Sequence, residues 1–185
     1  MTVLRIIRMG HPTLRKVAEP YPVEKIGTPE FRQMVADLKE TMYAANGIGL
    51  AAPQVNLGWQ VAVIEIPETP TRYGEVPALP FAAYINPKIT VLEDDRAGYW
   101  EGCLSVPGMM GYVERPQKIQ VDYVDEGGNQ KSLIAEGFTA TVFQHEFDHL
   151  YGTLYVDRIE DPALFMYEEE YRQFHEGDAP ELDEA

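Results

Sequence analysis

The sequence predicts an α+β fold, with mostly antiparallel sheets packed around a central helix that carries the pattern H-E-x-x-H. Three observations predict it. Short runs rich in Val and Ile recur along the chain and are separated by turn residues. Only a few stretches place apolar residues at helical spacing. Strands and helices do not alternate in a β-α-β rhythm, which argues against a Rossmann-like parallel sheet.

Residues 3–7 are a short apolar piece, followed by the turn signal Gly10-His11-Pro12 and a short helix expected over 13–18. His11 lies in that turn and is not a candidate ligand. Tyr21-Pro22-Val23 is expected to be extended, because the residue before a proline avoids the helical region. Thr28-Pro29 opens a clear helix, Thr as cap and Pro at the first helical position. Phe31, Met34, Val35, Leu38 and Met42 form its core stripe, and it stops near Ala45 at Asn46-Gly47.

Gly47-Ile48-Gly49-Leu50-Ala51-Ala52-Pro53-Gln54-Val55 is too small and too punctuated for a regular element. Small residues let backbone approach backbone or ligand closely. A phosphate loop is excluded, since neither G-K-[ST] nor G-x-G-x-x-G is present. The stretch reads either as a connection or as a pocket wall presenting Gln54.

Residues 60–66 read as a strand, and the proline-rich 67–80 as a loop within the same domain. Strands are expected at 83–85 and 88–92, around Asn86-Pro87. Residues 118–124 alternate strictly, with Ile119, Val121 and Tyr123 on one face. Gly127-Gly128-Asn129 turns the chain, and 130–136 returns. The H-E-x-x-H helix follows and ends at Gly152, with a short strand expected at 153–156. Residues 165–174 read as a helix or an extended edge.

At 185 residues, 45% of them hydrophobic, the chain suits one catalytic domain over residues 1–175, with an acidic, frayed tail at 176–185. No apolar run approaches the roughly 18 residues of a membrane span. The start lacks the pattern of a secretory signal, and the single Cys fits a reducing compartment, so a cytoplasmic location is expected. A net charge of −15 argues against nonspecific nucleic-acid binding.

The chemistry concentrates in Gln144-His145-Glu146-Phe147-Asp148-His149. Histidines four apart on a helix lie one turn above each other and can share a metal ion, and the glutamate between them can act on water there. Phe138, Val142, His145 and His149 form one core-facing stripe. A catalytic site of this type takes three protein ligands. Downstream, Glu160 and Glu168 to Glu170 are available, whereas His175 lacks metzincin spacing. Upstream, Glu101-Gly102-Cys103-Leu104-Ser105 offers a thiolate. Cys103 could instead be a buried small hydrophobe or half of a nucleophilic Cys–His pair. Ligation by Cys103, His145 and His149 accounts for these three residues and Glu146 together.

The blocks Gly47-Ile48-Gly49-Leu50-Ala51-Ala52-Pro53-Gln54, Glu101-Gly102-Cys103-Leu104-Ser105 and Gln144-His145-Glu146-Phe147-Asp148-His149 stand in this order without a break. In this the chain resembles the peptide deformylases, from about Ile6 to Ile159. The proline-rich loop is longer than in compact members, and the acidic end differs from the basic C-terminal helix implicated in ribosome docking in some of them.

The resemblance implies removal of the formyl group from the formylmethionine of nascent polypeptides. It implies one divalent ion held by Cys103, His145 and His149, with Fe²⁺ native and Zn²⁺, Ni²⁺ or Co²⁺ able to substitute. Glu146 is implied as general base and acid, and Gln54 and the Leu104 backbone N–H as donors to the developing oxyanion. Gly47, Gly49, Ile48 and Val142 are the candidates for substrate binding. Glu101, Arg115 and Asp148 are candidates for orienting the histidines. For Arg115 and Asp148 an ordinary surface ion pair is the other reading. Partners would be formylated nascent peptides and, transiently, the ribosome, with neither nucleic acid nor membrane. Two rival functions are a metallopeptidase cleaving internal peptide bonds, which needs a downstream ligand, and an inactive metal-stabilised binding module.

Overall fold

Strand β2 (Val61–Ile66) is apolar at five of its six positions, Glu65 being the exception, where a half-buried strand would alternate. The fold uses both of its faces. Val61 and Val63 join a cluster with Phe31, Val35, Leu38 and Met42 of helix α1 (Pro29–Ala44). Ala62, Ile64 and Ile66 join a second cluster with Val142, Phe143 and Phe147 of helix α2 (Gly137–Asp148). The sheet therefore lies between the two helices, with a core on each side. The computed structural model that shows this describes residues 2–68 and 77–176.

The remaining strands are β1 (Gly49–Ala51), β3 (Leu79–Cys103), β4 (Val106–Val124), β5 (Gln130–Glu136) and β6 (Phe165–Tyr167), and α3 spans Glu168–Phe174. The order is β1-β2-β3-β4-β5, with β6 also on β4. All these pairings are antiparallel. The fold is the expected α+β arrangement. Helix α1 begins as read, with the Thr28 hydroxyl accepting from the Phe31 N–H at 3.2 Å.

The largest departure is the β3–β4 hairpin. Its strands run for 25 and 19 residues, where short strands were expected only at 83–85, 88–92 and 118–124. Prolines 87, 107 and 116, four glycines and the charges around Asp94 lower intrinsic strand preference, but partner strands hold the backbone extended regardless. Register shifts absorb the misfits, including one between Ile85 and Lys88, where Asn86 takes φ 51°. Residues 49–51, read as irregular, pair with β2, because Leu50 and Ala51 are apolar and bury into the first and second cores respectively.

Two short elements also differ. The helix expected at 13–18 is a single 3-10 turn, Pro12–Arg15, since four residues cannot sustain an α-helix. The strand expected at 153–156 is a 3-10 turn, Tyr155–Arg158, because the Asp157 carboxylate caps the Leu154 N–H at 2.8 Å and curls the chain. Pro22 is extended, but Val23–Lys25 forms another 3-10 turn. Residues 165–174 divide into β6 and α3, so both readings hold in part. In the 67–80 loop, Leu79 and Pro80 already belong to β3, while 69–76 lie outside the described residues, as do 177–185 of the acidic tail.

Gly152 ends the H-E-x-x-H segment at φ 74°, and a Cβ there would lie 2.8 Å from the Arg15 carbonyl carbon. Gly152→Ala is expected to cost about 1–3 kcal/mol from the left-handed backbone and that contact. A urea midpoint within error of wild type would contradict it.

Candidate metal centre

The β3–β4 hairpin delivers the sulfur. Cys103 is the last residue of β3 and pairs with Val106, leaving Leu104 and Ser105 as a two-residue turn. Helix α2 delivers the imidazoles. It ends at Asp148, tightens into a 3-10 turn at His149–Tyr151, and stops at Gly152. Phe143, Phe147 and Leu150 anchor one side of this segment in the second core, and Tyr84 packs edge-on to Phe143 at 5.0 Å. That anchoring leaves His145, Glu146 and His149 facing the hairpin tip.

One ligand atom each from Cys103, His145 and His149 falls within 4.8 Å of the others. Cys103 Sγ lies 3.4 Å from His149 Nε2. A tetrahedral ion with metal–S about 2.3 Å and metal–N about 2.0–2.1 Å spaces its donors about 3.3–3.6 Å apart, so this pair fits. Burial pushes the Cys103 thiol up, but His149 and His145 outweigh it and hold it at about 5. The sulfur is thus poised as a thiolate, the form that binds metal. The Ser105 N–H at 3.4 Å and the Gln54 amide at 3.6 Å also donate to it. Glu160 and Glu168 to Glu170 do not belong to this group among the described residues, which removes the downstream ligand an internal metallopeptidase would need.

Glu146 is buried beside the three donors, and its Oε2 has no hydrogen-bond partner among the described residues. Burial raises its carboxyl pKa, although His145 and His149 pull the other way. A buried carboxylate oxygen left unpaired costs more than about 1–3 kcal/mol. Such an atom suits a group that exchanges protons with a bound water. His149 Nδ1 and Thr141 Oγ1 are likewise buried without a partner there. Nothing in the structure explains Thr141.

Gly49 lets β1 lie against the carboxylate: a Cβ there would sit 2.4 Å from Glu146 Oε1 and displace that side chain. Gly47 is similar, its virtual Cβ being 2.9 Å from Leu104 Cδ1. Val142 belongs to the second core cluster and Ile48 packs against it, while Leu104 borders the first. Gln54 is 2% exposed and held at both ends. Its Oε1 accepts from the Ala51 N–H at 2.8 Å, and its Nε2 donates to Ser105 Oγ at 3.2 Å.

The acidic and basic residues behind the donors are not a surface pair. Arg115 is 2% exposed. Register places it opposite Ala97 and puts Glu101 opposite Gly111, so both side chains share one face of the hairpin. Arg115 Nε and Nη2 donate to the two Glu101 oxygens at 2.6 and 3.0 Å, and Nη1 donates to Asp148 at 2.9 Å. Glu101 Oε2 in turn meets His145 Nδ1 at 2.7 Å. Against the pull of burial, Arg115 and His145 keep the Glu101 carboxyl low. Burial lowers His145, but Cys103 and Glu101 raise it well above its ordinary value. The surface reading fails because β3, β4 and α2 enclose the guanidinium.

Several contributors had no role in the sequence reading. Ser105 is fully buried and orients Gln54. The Tyr155 ring stacks on His145 at 6.0 Å and 21°, its hydroxyl donating to the Met109 carbonyl at 3.1 Å. The N-terminal segment straps the three motif blocks together. Ile7 N–H donates to the Gln54 carbonyl at 2.8 Å, Met9 N–H to that of Ser105 at 2.7 Å, and Ala18 N–H to that of Leu150 at 2.8 Å. Backbone bonds of this kind leave no residue-type signal.

A thiol and two imidazoles converging beside a buried carboxylate define a metal-dependent hydrolase. The comparisons with known proteins make the class specific. The model of the polypeptide deformylase family matches residues 3–164. A peptide deformylase of Leptospira biflexa is 45% identical over 170 residues, covering 92% of this chain and 95% of that protein. Peptide deformylase 1 of Bordetella pertussis is 45% identical over 164 residues, covering 89% of this chain and 92% of that one. Among solved structures, the peptide deformylase of Synechococcus elongatus in complex with actinonin superposes with a TM-score of 0.77 at 37% identity, over 95% of this chain and 87% of that one. The Met-Ala-Ser-bound enzyme of Acinetobacter baumannii gives 0.81 at 34% identity, over 85% and 99%. The chain belongs to the polypeptide deformylase family.

Arg115→Met is expected to lower stability by about 3–5 kcal/mol, because it leaves the buried Glu101 carboxylate without its guanidinium partner. A change of about 1 kcal/mol or less in urea unfolding, the range of a surface pair, would contradict the enclosed geometry.

Proposed function

We propose that the chain hydrolyses the N-formyl group of formylmethionine at the start of nascent polypeptides, releasing formate, with one divalent ion held by Cys103, His145 and His149. The observation that carries this reading is the convergence of those three donors on one point beside Glu146, in a member of this family. When bound, the ion supplies Lewis acidity to the formyl oxygen and to the attacking water. We take it to be Fe²⁺, with Zn²⁺, Ni²⁺ or Co²⁺ as substitutes. One thiolate and two imidazoles suit all of them, and the preference rests on the resemblance.

Glu146 is the proton carrier. Its raised carboxyl pKa brings it nearer the working pH, so it takes a proton from the water and returns it to the departing amine. The Gln54 amide, pinned through its oxygen, presents its N–H groups beside the sulfur, and the Leu104 backbone N–H lies in the turn next to it. These two donate to the formyl oxygen as it gains charge, each worth about 10²–10³ in rate. Gly47 and Gly49 admit the substrate backbone, while Ile48 and Val142 contribute apolar wall for the methionine side chain. Glu101 and Arg115 keep His145 in the tautomer with Nε2 free for the ion.

Residues 1–175 act as the catalytic unit, and the acidic tail follows. No helix of the described residues is long and apolar enough to cross a membrane. We assign the enzyme to the cytoplasm, where formylated chains emerge, in transient contact with the ribosome. The net charge of −15 disfavours docking through ribosomal phosphates, and no direct nucleic-acid binding is expected.

The test is formate release from formyl-Met-Ala-Ser by metal-loaded protein, purified anaerobically. Loaded protein that releases no formate, but cleaves an unblocked peptide, would overturn the assignment. Glu146→Ala should retain metal and lose turnover by at least about 10²-fold. Wild-type activity in that variant would remove Glu146 from the mechanism. Cys103→Ser should lose metal to a chelator faster than wild type, and equal retention would exclude the sulfur as a ligand.

A further inference from the structure

We propose that Arg158 is a positioning residue for the His145 imidazole, acting from the surface through Asp148, Arg115 and Glu101. This deepens the reading of Cys103, His145 and His149 as the metal-holding set and rests on it.

The geometry is a chain of alternating charge. Arg158 Nε donates to Asp148 Oδ2 at 2.6 Å, and Nη2 donates to Oδ1 at 2.6 Å. Asp148 Oδ2 also accepts from Arg115 Nη1, and Arg115 grips both oxygens of Glu101. Glu101 Oε2 then faces His145 Nδ1. The side chains of Arg115, Glu101 and Asp148 are 2%, 5% and 12% exposed, so water screens these contacts little. Arg158 is 46% exposed and forms the outer end.

Removing the outer cation changes the inner contacts. With Arg158 in place, Asp148 is satisfied by three nitrogens from two guanidinium groups. Without it, the carboxylate keeps one, on Arg115. Arg115 is then drawn toward Asp148 and away from Glu101. The oxygen it shares with His145, Glu101 Oε2, moves with it. Asp148 also precedes His149 directly, and its carbonyl accepts the Thr153 N–H at 3.0 Å, so its placement bears on both imidazoles.

The position of Arg158 is itself built. It ends the 3-10 turn Tyr155–Arg158, whose first residue stacks on His145. Asp157 caps that turn at Leu154 and pairs with Arg15. One short turn thus supports the imidazole twice, by a ring face and through the ion-pair chain.

The experiment uses the metal-loaded full chain and the variants Arg158→Gln, Arg158→Lys, Asp148→Asn and Asp148→Asn/Arg158→Gln. Metal loss to a chelator, kcat and KM on formyl-Met-Ala-Ser, and the urea midpoint of the metal-free form are measured. Arg158→Gln should release metal about tenfold faster and lower kcat with KM unchanged, as replacing a partner of a ligating histidine does. Arg158→Lys, with a single-point donor, should fall between. In the Asp148→Asn background Arg158→Gln should add nothing to metal loss or kcat, whereas a role not routed through Asp148 would add in full. Wild-type retention in Arg158→Gln, or equal effects in both backgrounds, would overturn the proposal. Wild-type protein that binds no metal would instead overturn the metal reading itself, and this inference with it.

Discussion

Everything at this site depends on a guanidinium held away from water between two carboxylates. Burying Arg115 costs several kcal/mol on its own, and its three charge-assisted hydrogen bonds to Glu101 and Asp148 offset that. The net stabilisation of such a cluster is small. Its consequence is positional. Arg115 belongs to β4, Glu101 to β3 and Asp148 to α2, so one side chain locks the hairpin to the helix at a single separation. Cys103 lies two residues beyond Glu101, and His149 directly after Asp148. The sulfur and the imidazole are therefore brought to 3.4 Å by a contact that includes neither.

The surrounding packing serves that alignment. β2 is apolar on both faces and sits between two cores, which fixes β1 in register beside α2. Gly49 then lies so close to Glu146 that any side chain would displace the carboxylate. The N-terminal segment adds backbone bonds to Gln54, Ser105 and Leu150, one in or beside each motif block. A third core cluster, with Ile7, Leu14, Val106, Val113, Leu154 and Tyr155, backs the hairpin where it meets the 3-10 turn.

Local regularity decided what could be read in advance. Helix α1 has a capping Thr, a Pro in its first turn and a five-residue apolar stripe, and it formed as read. β2 and β5 appeared within a residue of their expected bounds, since a Val- and Ile-rich run and flanking turns are local signals. The hairpin was read only in fragments. Prolines and glycines lower intrinsic strand preference, yet most of β3 is held by β4 through a register no window of sequence contains. The strand expected at 153–156 gives way to the turn Tyr155–Arg158, because the carboxylate of Asp157, and not the apolar pattern, sets the backbone there.

The chemistry of this protein was legible in its residues. Two histidines four apart with a glutamate between them and a lone cysteine beside a glycine narrow the options to metal ligation, because few other arrangements use all four. Helical spacing alone places the histidines on one face. Tertiary structure decided which donor completes the set and what holds it. Cys103 is 46 residues from His149, and Arg115 is 33 from Asp148. Over such distances sequence spacing carries no geometry, and whether Arg115 lies at the surface or in the interior depends on what folds over it.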